Sequence, residues 1–435
     1  MACNIMEILK SPVRQLVLLG VIQECFLIGI LFLGNLRHSI PLFLLLYFSA
    51  FIIFLGAVRL SYRLPGDRES EPELLLLIIV FALLFRATLF FSEPSLSEDI
   101  YRYLWDGKLT NEGINPYRYV PGSNELISLR DPQYEMINHK DIGTPYGPLT
   151  IMIFALSWRI MDSVYFMKIP FILFDCLSIV LILKMLTFSG TSKNNVILYA
   201  WNPLVLIELA GSGHNDSLGV FILLAAVYSV QRGRYWGASI SFAFALMAKY
   251  FSLLFFPVIL KQLRKKEWIL IPVLLVAGFL PFAEHLEPHI LNIMEVGSAW
   301  QFNDSLFSVL LFLTRSLYIS KTLVIIAMLL LAVIVWRSQW SPVKSAMIMI
   351  GGALLLTTTL QPWYLLWMVP FLCFSLNRAW LLLTGLVMLS YHVLIRYDTE
   401  GVWSESLWIK LAIYIPFYIL LLSDSLRSLR SRGAK

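Results

Sequence analysis

The chain has 435 residues, of which 58% are hydrophobic and only 14% charged, with a formal net charge of +6. Soluble domains carry about 25% charged residues, so this balance excludes a soluble globular protein, and the apolar runs lack the alternation that β-barrel strands need. The positive charge is scattered over short loops, which suits orientation in a membrane and leaves no nucleic-acid-binding face.

The N-terminal "MACNIMEILKSPVRQ" has no cleavable-signal pattern, so the first apolar run is expected to stay as an anchor. Apolar runs follow near 15–34, 40–60, 73–92, 147–161, 165–186, 195–211, 217–231, 236–260, 268–282, 304–318, 320–337, 343–360, 363–376, 379–395 and 407–424. A straight crossing takes about 20 residues. Several runs are shorter and read as half-helices or re-entrant segments lining a cavity. The expectation is an all-α polytopic membrane protein, one domain over 1–435, with roughly 11–14 crossings. Cys3, Cys25, Cys176 and Cys373 lie in or beside apolar runs without metal-ligand spacing and read as packing residues.

Basic clusters in "RLSYRLPGDR", "QRGR", "KQLRKK" and "RSLRSRGAK" look cytoplasmic. The third span then carries the chain outward, and the long polar segment 93–146 lands outside. Parity fails in the middle, where "MDSVYFMK" and "TFSGTSKNN" are both mildly basic.

Within 93–146, "SEDIYRYLWDGKLTNEGINPYRYVPG" has helical logic. Asp99, Arg102, Tyr103 and Asp106 stand at i, i+3, i+4 and i+7, so they share one helix face. Ser97 is the expected N-cap, with Glu98 and Asp99 at the positive helix end. Gly113 ends the helix and Asn115-Pro116 makes a turn. The carboxylates read either as a helix-end charge effect or as a catalytic base.

"EDIYRYLWDGKLTNEGINPYRY", "AWNPLVLIELAGSGHNDSL", "AKYFSLLFFPVIL" and "QPWYLLWMVPFL", in that order over about Arg86 to Pro370, resemble the GT-C fold glycosyltransferases. More narrowly they are similar to the bacterial polyprenyl-phosphate-mannose-dependent mannosyltransferases, including the actinobacterial alpha-1,6-mannosyltransferases. The resemblance implies a GT-C fold whose first long extracytoplasmic loop carries an acidic catalytic base. Asp99 is the matching position, with Glu98 its neighbour. It also implies a polyprenyl-phosphate sugar donor, a lipid-linked or glycan acceptor, and an active site on the outer face of the cytoplasmic membrane. Such a donor carries its own leaving group, so the chemistry needs a base for the acceptor hydroxyl and stabilisation of a departing phosphate.

Other polar islands have two readings each. His214, Asn215 and Asp216 in "GSGHNDS" form either a surface turn or, as the resemblance implies, part of the family's polar pocket. Trp201 to Pro203 in "AWNP" read mainly as packing at a kink. Lys249 either snorkels or binds the donor phosphate; the break there, followed by Pro257, suggests two short helices and an inner cavity edge. Gln361, Trp363 and Tyr364 form an interfacial aromatic belt or a sugar platform. His139 with Asp141 reads as a surface turn ahead of a pair of metal ligands, and His392 with Arg396 as an interfacial cluster ahead of a second phosphate contact. The candidate substrate-binding residues are therefore Arg102, Tyr103, Asp106, His214, Asn215, Asp216, Lys249, Gln361, Trp363 and Tyr364. No cofactor is expected and no spacing makes a strong metal site; Glu98, Asp99 and Asp106 are the one acidic set a divalent ion would use.

The sequence departs from many relatives in having "YGP" (Tyr146 to Pro148) where they carry Pro-Pro, and it shows no familiar motif after Pro370. Two rivals stand beside the transferase reading: a transporter or flippase for a lipid-linked saccharide, and an inactive relative serving as a subunit. Paired repeats, the usual transporter signature, are not found.

Overall fold

The computed structural model describes residues 11–63 and 71–433, with side chains of 71, 295–299 and 428–433 outside the description. The readings of Cys3, of the N-terminal segment through Lys10 and of 64–68 fall outside the described residues. Within them the protein is helical, and the only β feature is an isolated parallel bridge between Phe302 and Thr359.

The principal helices are α1 (Pro12–Phe32), α2 (Ile40–Arg63), α3 (Glu71–Phe90), α4 (Asp99–Asn111), α5 (Pro148–Ile160), α6 (Val164–Ser189), α7 (Asp216–Gln231), α8 (Tyr235–Ala248), α9 (Leu286–Ala299), α10 (Leu317–Arg337), α11 (Pro342–Leu356) and α12 (Leu407–Gly433). Among the described residues eight helical stretches are long and apolar enough to cross a membrane, including α1, α2, α3, α6, α10 and α12, with Lys265–Met294 and Arg378–Glu400 as composite spans. Five further apolar helices are shorter: α5, α7, α8, Tyr250–Leu260 and α11. These are the runs too short for a straight crossing, and each is bounded by a backbone break. Proline stands in the first turn of α1, α5 and α11, where its missing N–H costs nothing. The protein is thus a multi-pass helical membrane protein.

The chain forms two compact units. The first comprises Met1–Leu96, Ile182–Ser212 and Gln361–Lys435; the second comprises Ser97–Leu181 and Gly213–Leu360.

In the first unit, the apolar run expected over 195–211 is not one helix. It breaks into Lys193–Val196, Ile197–Ala200, Pro203–Val205 and a π-turn Leu206–Gly211. Asn202 caps the restart, its Oδ1 accepting from the Leu204 N–H at 3.1 Å, with Pro203 behind it. Trp201, fully buried, wedges into this break. Its ring meets Phe81 and Phe85 at 5.4 and 5.3 Å, and its Nε1 donates to the Ile78 carbonyl at 2.9 Å. Gln23 Nε2 donates to the Trp201 carbonyl at 2.8 Å, and Arg86 Nη1 donates to the Ala82 and Ala200 carbonyls, both at 2.9 Å. Lipid is as apolar as a leucine side chain, so helices here gain little from apolar burial alone. Close packing and interhelical hydrogen bonds, worth about 0.6–2 kcal/mol each, hold them together.

In the second unit, α4 is the short helix read from the sequence, beginning at Asp99 and ending before Gly113. The cap position is Glu98 rather than Ser97. Ser97 still serves the helix end, its Oγ accepting from the Asp99 N–H at 3.3 Å. Gly113 has φ +74°, a left-handed turn that lets the chain reverse, and Asn115 Oδ1 accepts from the Tyr117 N–H at 3.0 Å in the turn that follows. The loop is therefore structured: two 3₁₀ turns, Asn124–Leu129 and Pro132–Met136, pack Leu126, Tyr134 and Ile137 against Trp105 and Leu109 of α4.

Candidate active site

Helix α4 is amphipathic in a particular way. One side packs on the loop through Trp105 and Leu109. Another packs on α5 and α6, where Tyr103 stacks on Phe154 at 4.4 Å and meets Phe171 edge-on at 5.8 Å. Gly107 permits the approach, since a Cβ there would lie 2.6 Å from the Phe154 carbonyl oxygen. This packing fixes the first turn of α4, and with it Asp99.

Opposite Asp99 lies the segment that opens α7. Gly213, at φ +75°, is pressed between Lys168 Cγ and Ile100 Cδ1, which an added Cβ would meet at 2.9 and 3.0 Å. Glycine is required there on both counts. The turn delivers His214, Asn215 and Asp216, all buried. His214 Nδ1 stands 3.6 Å from Asp99 Oδ2, an ion pair when the imidazole is protonated. The Asn215 N–H approaches the Tyr103 hydroxyl oxygen at 3.5 Å.

The third contribution comes from the end of α8. The helix stops at Ala248, and Lys249 is extended (φ −152°, ψ 126°) before a 3₁₀ turn, Tyr250–Phe255. The break read from the sequence is present, and Lys249 does not snorkel. Its Nζ is ion-paired with Asp216 Oδ2 and donates to Asn215 Oδ1 at 3.2 Å. Thr150 of α5 anchors the break, its hydroxyl donating to the Ala248 carbonyl at 2.7 Å.

Four carboxylates therefore surround this spot in different states. Asp216 is fully buried against Lys249. Asp106 is buried and takes Arg102 Nε at 3.0 Å, while Arg102 Nη1 donates to the Ile142 carbonyl at 2.9 Å. Glu98 accepts from Asn138 Nδ2 at 3.0 Å. Asp99 retains 29% of its side-chain surface accessible. Burial among these neighbours pushes its carboxyl above the ordinary range, helped by Asp216 and Glu98; His214 and Lys249 pull the other way. Asp106 is also pushed up by burial, with Arg102 opposing. Burial drives the Tyr103 hydroxyl well above its usual range. Among the described residues, no three His, Cys, Asp or Glu side chains converge as a metal set, and Glu98, Asp99 and Asp106 do not come together as one.

Of the residues expected from the sequence, Asp99, Tyr103, His214, Asn215, Asp216 and Lys249 meet in the second unit, with Arg102 about one helical turn and Asp106 about two turns from Asp99. Arg102, Tyr103 and Asp106 are 6%, 1% and 1% exposed, so they support the site from behind. Gln361, Trp363 and Tyr364 belong to the first unit, where Trp363 and Tyr364 meet edge-on at 6.0 Å. His139 lies against Trp300 in a turn, and Arg396 pairs with Glu400 at the surface.

Sequence reasoning missed Asn138 and Lys168. Lys168 counts among loop charges when "MDSVYFMK" is read as a basic connector, but it is fully buried inside α6. Removing it from the loop tally lessens the parity conflict in the middle of the chain. Its signal is there: apolar neighbours on both sides at helical spacing.

The pattern for "Alpha-(1->6)-mannopyranosyltransferase, N-terminal domain" matches residues 23–264, more than half of the chain. That range includes every member of the second-unit cluster and stops before Gln361. Alpha-(1->6)-mannopyranosyltransferase A of Mycobacterium tuberculosis is 24% identical over 199 residues, covering 44% of this chain and 37% of that protein. Alpha-(1->6)-mannopyranosyltransferase A of Corynebacterium glutamicum is 24% identical over 156 residues, covering 34% and 31%. Alpha-(1->6)-mannopyranosyltransferase B of the same organism is 24% identical over 195 residues, covering 42% and 31%. The matched part of this chain spans about a third of the length of these relatives.

Proposed function

This chain belongs to the family defined by the N-terminal domain of alpha-(1->6)-mannopyranosyltransferases, and from that premise we propose that it transfers a hexose, mannose by expectation, from a polyprenyl-phosphate donor to a lipid-linked or glycan acceptor. The observation that carries the proposal is the state of Asp99. It is the accessible carboxylate on α4, while Asp106 and Asp216 are buried against cations and Glu98 is held by Asn138. A general base has to meet its substrate and hold a proton readily, and a carboxyl pushed upward by burial does both.

In this reading the acceptor hydroxyl gives its proton to Asp99 as its oxygen attacks the anomeric carbon. The bond from that carbon to the phosphate oxygen breaks, and the lipid phosphate leaves as an anion. Single displacement inverts the anomeric centre, so a β-linked donor gives an α product. Lys249 and Asn215 Nδ2, which has no acceptor among the described residues, are the donors available to the phosphate or the sugar. Arg102, Tyr103 and Asp106 are positioning residues. The active site faces the extracytoplasmic side of the cytoplasmic membrane, as the basic flanks of the first spans suggest.

The test is reconstitution of the purified protein with labelled polyprenyl-phosphate sugars and a lipid extract, with products resolved by mass. Hexose addition that disappears in Asp99→Asn is the expected result. Folded protein that transfers no sugar from any such donor, or that moves the donor across the bilayer instead, overturns the proposal.

A further inference from the structure

One buried cluster of the second unit has no part in the chemistry above. The segment Ile142–Gly147 runs from the outer loop into α5. Each alternate carbonyl along it is taken by a side chain from elsewhere. Arg102 of α4 donates to Ile142 at 2.9 Å, His289 of α9 contacts Thr144 through Nδ1 at 3.1 Å, and Tyr117 donates to Tyr146 at 3.0 Å. The two glycines are as tightly placed: a Cβ on Gly143 would lie 1.9 Å from Asn292 Nδ2, and one on Gly147 would lie 2.1 Å from the Met247 carbonyl oxygen.

His289 is 2% exposed and contacted on three sides. A carbonyl only accepts, so Nδ1 carries the proton toward Thr144. Nε2 is then the acceptor, and the Tyr250 hydroxyl donates to it at 2.6 Å. The imidazole also stacks on the Tyr117 ring, with centroids 3.7 Å apart and planes 17° off parallel. His289 and Asn292, three residues apart on one face of α9, together clasp the segment.

The position of this segment gives it a consequence. At one end it is tied to Arg102, one turn beyond Asp99. At the other it leads to Gly147 and Thr150, which pack on and bond the Met247 and Ala248 carbonyls just before Lys249. It spans the two places that carry the proposed base and the proposed anion contact. We infer that His289 is a positioning residue: by holding the Thr144 carbonyl it sets the register between Asp99 and Lys249. The inference rests on the proposed transferase reading for its kinetic consequence, and on geometry alone for its structural one.

Three variants separate the roles. His289→Phe keeps the ring on Tyr117 and removes both nitrogens. His289→Asn keeps an amide donor near the Nδ1 position and loses the stack. Tyr250→Phe removes the bond to His289 Nε2 and the hydroxyl contact to Tyr117, and leaves the bond from Nδ1 to Thr144. Hydrogen exchange of the 142–147 backbone is read by mass spectrometry in all three, beside turnover. In His289→Phe, exchange of that segment rises about fivefold, as loss of a hydrogen bond of about 1 kcal/mol permits. Turnover falls about 10- to 100-fold with the KM for donor within about twofold, because misplacement of groups by fractions of an ångström slows chemistry more than binding. His289→Asn recovers a large part of both, and Tyr250→Phe loses less than His289→Phe. Unchanged exchange in His289→Phe overturns the inference whether or not the protein transfers sugar. Wild-type turnover in His289→Phe with loss in His289→Asn also overturns it, since the ring stack alone is then what matters. A wild-type protein that transfers no sugar, with exchange still raised in His289→Phe, leaves the positioning role standing and sinks the transferase reading.

Discussion

The two units bury comparable polar groups to different ends. In the first, the buried groups mainly brace the packed helices, although Gln23 Oε1 has no donor among the described residues: Arg86 supplies two carbonyls, Gln23 Nε2 supplies the Trp201 carbonyl, and Tyr391 donates to Glu208 at 2.8 Å. In the second, the groups around Asp99 leave capacity over. Asp99 has accessible surface, and Asn215 retains a donor without an acceptor among the described residues. A buried charge in a membrane protein is therefore no signpost by itself. Residual hydrogen-bonding capacity beside an accessible carboxylate is the better one.

The largest expected effect tests that distinction at its centre. Asp99→Asn keeps shape and lowers turnover by about 10²- to 10⁴-fold, the usual worth of a general base. Glu98→Gln, which weakens the contact to Asn138 and removes a charge near Asp99, costs less than about tenfold. The reverse order, measured as kcat on folded protein, would move the base to Glu98 and erase the contrast.

Lys249→Met strikes both roles. Because Lys249 neutralises the fully buried Asp216, its loss leaves an unpaired carboxylate and costs about 3–5 kcal/mol of stability. A variant that weakens donor binding while folding normally is thus not expected. Lys249→Met with Asp216→Asn restores the melting temperature without restoring donor affinity; recovery of both denies Lys249 any contact with substrate.

In the first unit, Arg86→Met costs about 1–3 kcal/mol through orphaned carbonyls, read as a lower melting temperature. Turnover per folded molecule stays at the wild-type level, and a fall there breaks the division of labour between the units.

Smaller effects sharpen the picture. Burial raises the Asp99 carboxyl, so the folded protein favours its protonated form; charging it costs stability at pH values above the raised pKa and nothing below the ordinary one. Asp99→Asn therefore melts higher than wild type near neutral pH, and the gain vanishes in acid. Wild-type turnover falls as pH drops through the raised value. Finally, a cysteine at the exposed Asn124 reacts with an impermeant thiol reagent in intact cells; reaction only after lysis places the loop inside.

What was legible in the sequence follows from range. The helix face of Asp99, Arg102, Tyr103 and Asp106, the stop at Gly113 and the break at Lys249 are local properties of spacing, glycine and chain direction. The cap lies one residue later than Ser97 suggests, because Ser97 bonds the first helical N–H from outside. The pairing of Lys249 with Asp216, the turning of Glu98 toward Asn138 and the clasp of His289 on Thr144 join residues 33, 40 and 145 positions apart. No periodicity marks such pairs. The run 195–211 reads as one span with a kink at Asn202-Pro203, because its few polar residues are spread thinly among apolar ones. The tertiary wedge of Trp201 between Phe81 and Phe85 shows why the kink becomes a full break.

The way the units divide the chain also bears on biogenesis. During synthesis every residue of the second unit has been made once Leu360 has been added, whereas the first unit still lacks its third segment, from Gln361 onward. The spans α1 to α3 thus wait for that segment before their unit can close. Tyr47 donates to the Thr384 carbonyl and Tyr391 donates to Glu208, so these inner polar contacts of the first unit form only after every residue of the second unit has been made.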